Sequence, residues 1–358
     1  MKSKLLIFVL FTDCFLFAQE NQDSIDDYVN TVQSVEILGR KSTSYKSDYT
    51  FSGTKTQLST KEIPMSVSTV TKELIQDQQA VNLSDLLSNI SGVSVNSSPS
   101  YNDIRIRGFR SHTSTASGTG NRYINGLKAG QGFFTNPTLV NIERVEVLKG
   151  PASSIYGNIN PGGLINMVTK KPLEESRKSV NFSIGSFNSM MATADFTGAL
   201  NDTKTLLYRF NVGYDKSDTY RDFNDYTSYS IAPSVTFRPS DKTTFNAEMT
   251  YNFYDGVIDR GIPVINEDYE DFENQGFDVG FTITQPSDWY KVEDVSFNLS
   301  LNHKFTENFS FNAAYLRYDW KEDLGEHRTT NNWVEGEEGV ISDIRYWERL
   351  KDSKSLIL

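Results

Sequence analysis

The chain has 358 residues, room for two or three domains, and sets 35 basic side chains against 46 acidic ones for a formal charge of −11. That acidic balance makes nucleic acid an unfavourable partner. The one cysteine, Cys14, falls in the leader described next, so the mature protein has neither a disulfide framework nor a thiolate for catalysis or metal binding.

The leader, MKSKLLIFVLFTDCFLFAQ, places Lys2 and Lys4 before an apolar run from Leu5 to Phe17, which is interrupted at Thr12, Asp13 and Cys14 and followed by Ala18. This is the pattern of a secretory signal peptide, residues 1–19, with cleavage expected near Gln19. Asp13 stands where lipidation of Cys14 would need a small residue. Cleavage takes the charge to about −12, because two lysines and one aspartate leave with the leader. No later apolar run reaches the ~18 residues of a spanning helix. An exported chain of this kind is either soluble beyond the inner membrane or a β-barrel within the outer one.

Residues 20–55 are polar, rich in Ser, Thr and Asp, and read as a flexible arm with one β-prone island at residues 32–38. Residues 56–172 read as a compact α+β unit. Helical spacing links Leu74 and Ile75, and again Leu83, Leu86, Leu87 and Ile90, with Asn82 or Ser84 as the cap and Gly92 as the stop. Short strands are predicted over residues 104–107, 122–124, 145–148 and 163–169, with a tight turn at Asn125 and Gly126. Gly150, Gly157, Gly162 and Gly163 break the last two strands apart and allow close backbone approach.

From residue 178 onward the texture is that of long strands with period two. Phe245, Ala247, Met249, Tyr251 and Phe253 alternate with Asn246, Glu248, Thr250 and Asn252, and Val295, Phe297, Leu299 and Leu301 with Ser296, Asn298, Ser300 and Asn302. Aromatics such as Tyr214, Phe253, Tyr254, Tyr318 and Trp320 gather at segment ends, and short turns alternate with long acidic loops. An apolar outer face, a polar lumen and aromatic girdles describe a transmembrane barrel; a soluble β-sandwich or propeller alternates in the same way. About seven complete strands and an eighth are expected, and a barrel of ~8 strands is filled by its own side chains. It could not house the α+β unit, so the chain is expected to be the first part of a longer one.

The ordered stretches KEIPMSVSTVTKELIQDQQAVNLSDLLSNISGV, IRIRGF, RYINGL, IERVEVLKGPASSIYG and PGGLINMVTKKP resemble the plug domain of TonB-dependent outer-membrane receptors, in particular siderophore receptors of the ferrichrome and pyoverdine type. The resemblance is close over residues 61–172 and looser beyond. It implies a plug within a barrel of about 22 strands, of which this chain carries the first seven or eight, in the outer membrane of a Gram-negative bacterium. It also implies energised import of a ferric siderophore, bound between plug apex and lumen and released when the TonB–ExbB–ExbD complex pulls on the arm. The matching TonB box spans residues 32–39, with Val32, Gln33, Ser34, Val35, Glu36, Ile37 and Leu38 as an extended segment able to add to a partner's sheet edge. By the same analogy Arg107, Tyr101, Lys128, Gln131 and Phe133 line the ligand pocket, with an arginine offering a planar cationic fork to an anionic chelate. Arg105, Glu143, Arg144, Glu146 and Lys149 are the implied lock between plug and barrel wall, since buried charges need partners.

Other chemistries find little support. His112, His303 and His327 lack metal-ligand spacing, and GPASSIYG lacks the G-x-S-x-G turn of a serine nucleophile. No enzyme activity and no resident cofactor are expected, iron being cargo. Lipid, the siderophore and the TonB complex are the expected partners, and nucleic acid is not. Haem, cobalamin or a glycan is the alternative cargo, and a non-transporting surface β-protein is the alternative class.

Overall fold

The computed structural model describes residues 45–50, 52–54, 58–80, 82–98, 101–111, 122–129, 139–150, 153–157, 159–260, 280–329 and 344–357. The signal peptide, the arm island with its seven TonB-box residues, and the pocket candidates Gln131 and Phe133 lie outside them.

The N-terminal domain opens with β1 (Tyr49–Thr50) and β2 (Leu58–Ser59), an antiparallel pair. It continues through β3 (Ser66–Val70), α1 (Lys72–Asp77), α2 (Leu83–Leu87), β4 (Val93–Ser98), β5 (Tyr101–Ile106), β6 (Phe109–Arg110), β7 (Arg122–Ile124), β8 (Leu127–Lys128), β9 (Ile142–Lys149), α3 (Ser153–Tyr156) and β10 (Gly163–Thr169). Five strands form one sheet in the order β3-β9-β10-β7-β8, and β4, β5 and β6 form another. Only β10 with β7 is parallel in the five-stranded sheet. The expected helices appear with the expected signals: the Asn82 amide donates to Asp85 Oδ2 at 3.0 Å at the start of α2, and Gly92 adopts φ +76° after it. Such a reciprocal cap satisfies donors that the first helical turn leaves unpaired.

One face of the five-stranded sheet meets the helices through Val145, Val147, Ile165 and Met167, packed on Leu83, Leu86, Leu87 and Ile104. The opposite face carries Leu148, Leu164 and Tyr123, and Tyr156 of α3 packs on it, the two tyrosine rings meeting edge to face at 4.9 Å. A strand buried on both sides is mostly apolar, and β10 is buried at every position. Its entry is tight: a Cβ on Gly163 would lie 2.0 Å from the Leu148 carbonyl oxygen, and one on Gly162 2.3 Å from that of Ile106. Glycine is required where backbone meets backbone this closely.

Two boundaries differ from expectation. The arm was expected to run free to residue 55, yet Tyr45 already donates to Asp77 Oδ2 at 2.6 Å, and Thr50 and Ser52 are buried. Short polar residues read as loop in the sequence, but here their hydroxyls are spent inside the domain. Arg107 does not end a strand: with φ +51°, followed by Gly108 at +82°, it begins the tight turn that joins β5 to β6.

Eight antiparallel strands follow in simple chain order: β11 (Arg177–Ile184), β12 (Met190–Ala199), β13 (Leu206–Asp218), β14 (Asp225–Ser240), β15 (Thr243–Gly256), β16 (Trp289–Thr306), β17 (Phe309–Thr329) and β18 (Ile344–Ile357). Their burial is inside out. Glu248, Asp294, Ser296 and Asn298 are buried on the inner face, while Phe245, Phe297, Leu299, Val180 and Phe182 are exposed on the outer one. A soluble sandwich would bury the apolar set, so this sheet has the pattern of a transmembrane barrel wall, apolar outside and polar within. Aromatic pairs bound that face, Phe237 with Phe245 and Phe305 with Phe309 toward the short turns, Tyr229 with Phe253 toward the long loops. Phe245 and Phe253 stand about 27 Å apart along an extended strand, close to the height of a bilayer's apolar core.

Candidate functional site

Polar groups interrupt the apolar sheet of the N-terminal domain at one level. Glu146 on β9 and Asn166 on β10 are paired directly across the strands, and both are fully buried. A carboxylate in such a place must be surrounded by donors. Arg144 Nε donates to Glu146 Oε1 at 2.6 Å, and Glu146 Oε2 accepts from Thr50 Oγ1 at 2.8 Å, the Ser52 amide at 2.8 Å and Ser52 Oγ at 2.5 Å. Burial pushes the carboxyl's pKa up, but the Arg144 charge and the Ser52 and Thr50 hydroxyls outweigh it and hold the group below the usual glutamate range. Ser52 is fixed from other sides as well. Tyr156 OH donates to its carbonyl at 3.0 Å and Asn166 Nδ2 to its hydroxyl oxygen at 3.0 Å.

The other end of the Asn166 amide faces the hairpin turn between β7 and β8. Asn166 Oδ1 accepts from the Gly126 amide at 2.9 Å, and the turn has positive φ at both Asn125 (+50°) and Gly126 (+79°), as a two-residue hairpin requires. Three residues along β10, Thr169 holds the same turn: Asn125 Nδ2 donates to Thr169 Oγ1 at 2.9 Å, and the Thr169 amide donates to Asn125 Oδ1 at 3.1 Å. Thr169 Oγ1 in turn donates to Glu248 Oε2 on β15 at 2.5 Å, and Lys171 forms an ion pair with the same carboxylate. One strand thus ties the turn to the arm on one side and to the wall on the other.

The wall contacts continue from there. Lys170 pairs with Asp195 of β12 at 3.3 Å, Arg209 of β13 clamps Asp195 at 2.7 Å and donates to the Lys171 carbonyl at 2.8 Å, and Asn141 donates to Thr250 of β15 at 2.9 Å. Arg122 of β7 lies fully buried beside Tyr318 of β17. Burial lowers its pKa to about 10, with Tyr318 acting in the opposite sense, so it keeps its charge at neutral pH.

The described contacts of Arg105, Glu143, Arg144, Glu146 and Lys149, the expected lock, are made elsewhere. Each of the five has its described partner inside the N-terminal domain: Arg105 with Asp103 at 3.0 Å, Glu143 with Lys72 at 3.6 Å, Arg144 with Glu146, and Lys149 with the Ser91 carbonyl at 3.2 Å. The physical reason is position, since β9 runs through the middle of its own sheet and its charges reach neighbouring strands first. Among the described residues, ion pairs to the wall come from Lys170, Lys171 and Glu174 instead, the last reaching Arg238 of β14 at 2.9 Å.

Of the pocket candidates, Arg107, Lys128 and Tyr101 lie among the described residues. Arg107 lays its guanidinium against Gly150, where a Cβ would meet Nη1 at 2.9 Å, which is a packing role within the domain. Lys128 sits half-buried on β8, which runs beside β17, and burial pulls its ammonium below the usual lysine range. Tyr101 begins β5. Sequence reasoning missed Ser52, Asn166 and Thr169; a lone asparagine in the apolar run GLINMVT was the available signal.

The sheet and turn just described lie within residues 59–164 and their flanks, and residues 59–164 match the family model described as TonB-dependent Receptor Plug Domain. Residues 59–164 are a TonB-dependent receptor plug domain. The plug is followed by wall strands that have close counterparts among solved receptors. The ferripyoverdine receptor of the outer membrane of Pseudomonas aeruginosa superposes with a TM-score of 0.76 at 18% identity, covering 88% of this chain and 42% of that one, a likeness of fold. In sequence, the ferrichrome outer membrane transporter/phage receptor of Escherichia coli K12 is 31% identical over 305 residues, 81% of this chain and 38% of its own length. The ferrioxamine receptor of Yersinia enterocolitica is 26% identical over 300 residues, 80% of this chain and 41% of its own. The chain thus spans about two fifths of the length of these curated relatives. The expected fold class, an α+β plug followed by antiparallel strands of a transmembrane barrel, is the one observed. Set against the plug, the Glu146 and Asn166 junction occupies the centre of its main sheet.

Proposed function

We propose that this protein serves as an outer-membrane receptor of a Gram-negative bacterium that takes up a ferric siderophore by TonB-dependent transport. The observation that carries the reading is a plug domain pinned against a wall whose outer face is apolar. A plugged lumen conducts nothing at rest, so passage needs work supplied from outside the barrel. The arm before residue 45 is the handle for that work, with residues 32–38 as the segment the TonB–ExbB–ExbD complex grips by strand addition. Iron travels as part of the chelate, with no resident metal in the protein. Similarity to receptors named for ferrichrome and ferrioxamine supports a ferric siderophore as the cargo.

Growth of an iron-starved, receptor-deleted strain that carries the full-length gene tests this directly. Rescue by at least one ferric siderophore from a panel of hydroxamates, catecholates and pyoverdines is expected. Rescue by none, with the receptor present in the membrane, overturns the cargo assignment.

A further inference from the structure

Ser52 sits between two partners that belong to different parts of the plug. Its hydroxyl donates to Glu146 Oε2 and accepts from Asn166 Nδ2, and a hydroxyl with one proton and two lone pairs fills both roles at once. The Asn166 amide is likewise used at both ends, since its oxygen holds the Gly126 amide. Every atom in this series is buried, so removing Ser52 leaves a carboxylate and an amide short of a partner they had been given, in a place water does not reach. Asn166 then regains rotational freedom, and the turn it holds loses one of its anchors.

We propose that the hydrogen-bonded series Glu146, Ser52, Asn166 and Gly126 couples the arm to the hairpin turn of the plug. Withdrawal of Ser52 loosens the Asn125 and Gly126 turn, and by linkage a ligand that restrains or displaces the turn changes how firmly Ser52 is held. The two positions are separated by β10, whose backbone also holds the turn where the Asn125 amide donates to the Met167 carbonyl at 3.0 Å; the side chain of Asn166 is what joins that turn to Ser52. Thr50 provides an internal control, because it bonds to the same Glu146 oxygen without touching Asn166 by any bond described above. The use of the coupling in transport rests on the function proposed above, whereas the coupling itself is a property of the plug.

Hydrogen exchange read by mass spectrometry on the full-length receptor in nanodiscs tests it without transport. Ser52→Ala is expected to speed exchange of the Gly126 amide by about tenfold, the effect of losing one buried hydrogen bond, while wall peptides around Thr250 keep their wild-type rate. Asn166→Ala should speed exchange at the Ser52 amide in return. Thr50→Val removes a bond to Glu146 while the Ser52 bond to Asn166 stays, and should leave exchange at Gly126 unchanged. Wild-type exchange at Gly126 in Ser52→Ala overturns the proposal, and so does equal acceleration throughout the plug, which marks general loss of packing. If Ser52→Ala fails to assemble, the Asn166→Ala and Thr50→Val pair decides the matter by the same readings. A receptor that shows the coupling yet rescues no iron-starved strain would refute the proposed function and leave this inference standing.

Discussion

Ser52 and Asn166, 114 positions apart in the chain, are joined by a 3.0 Å hydrogen bond in the interior of the plug. That bond makes a polar stretch of the arm part of the plug's core, and Glu146 beside it is the group most exposed to its loss. Glu146→Ala strands Arg144 and both hydroxyls in a buried site, and is expected to destabilise the plug by about 3–5 kcal/mol. Glu146→Gln keeps the shape and should cost about 1–3 kcal/mol. Denaturant titration of the full-length receptor, followed by a plug-specific probe, checks the order of the two.

The same carboxylate gives the plug an acid limit. Its pKa is depressed in the folded protein, so its contribution is complete above the unfolded value of about 4.3 and is lost as pH falls through the lower folded value. Protection of the Ser52 amide should therefore be flat from neutral pH to about 5 and decline only below the ordinary glutamate range. A decline centred near neutrality would assign the titration to some other group.

At the wall, Glu248 receives both Thr169 and Lys171. Glu248→Ala leaves a half-buried lysine without its counter-ion and should weaken seating of the plug by roughly 3 kcal/mol. Urea should then unseat the plug at lower concentration, seen as earlier onset of conductance across a planar bilayer. The exchanged pair Lys171→Glu with Glu248→Lys should recover part of the loss, as a merely steric effect would not.

Gly163→Ala places a methyl group 2.0 Å from the Leu148 carbonyl at φ +135°. Because the neighbour is backbone in a paired strand, it cannot swing aside, and a loss of about 2 kcal/mol or more is expected. Gly157→Ala, at φ +71° with open space around it, should cost less. Thermal unfolding of the two variants side by side gives the comparison.

Removing residues 32–38 from the full-length receptor should abolish energised uptake while binding of the ferric siderophore at the cell surface persists. Uptake that survives the deletion would remove this segment from the role of handle.

Much of this fold was legible because its signals are local. The leucines at positions 83, 86 and 87 with Asn82 before them, the Asn125 and Gly126 turn, and the alternation of Phe245 to Phe253 each announce their element within a few residues. The junction was not legible, because it is made by residues whose chemistry is ordinary and whose partners are remote. Ser52 stands in a serine- and threonine-rich stretch that reads as solvated, and nothing nearby signals a carboxylate 94 positions on. The charges of β9 stand out in the sequence, but alternation alone assigns a face without naming what meets it. Lys170 and Lys171 stand side by side in the sequence, but the wall acids that receive them, Asp195 and Glu248, are brought to them only by the register of the strands.

The partners that residues 141–174 find on the wall belong to β12, β13, β14 and β15, the strands that come soon after the plug in the chain. Lys170 and Asp195 are only 25 positions apart, so closing the loop between them costs little entropy. This bears on the order of assembly. A nascent chain can seat its own plug as soon as these early strands pair, with no need to thread a folded domain past a finished wall.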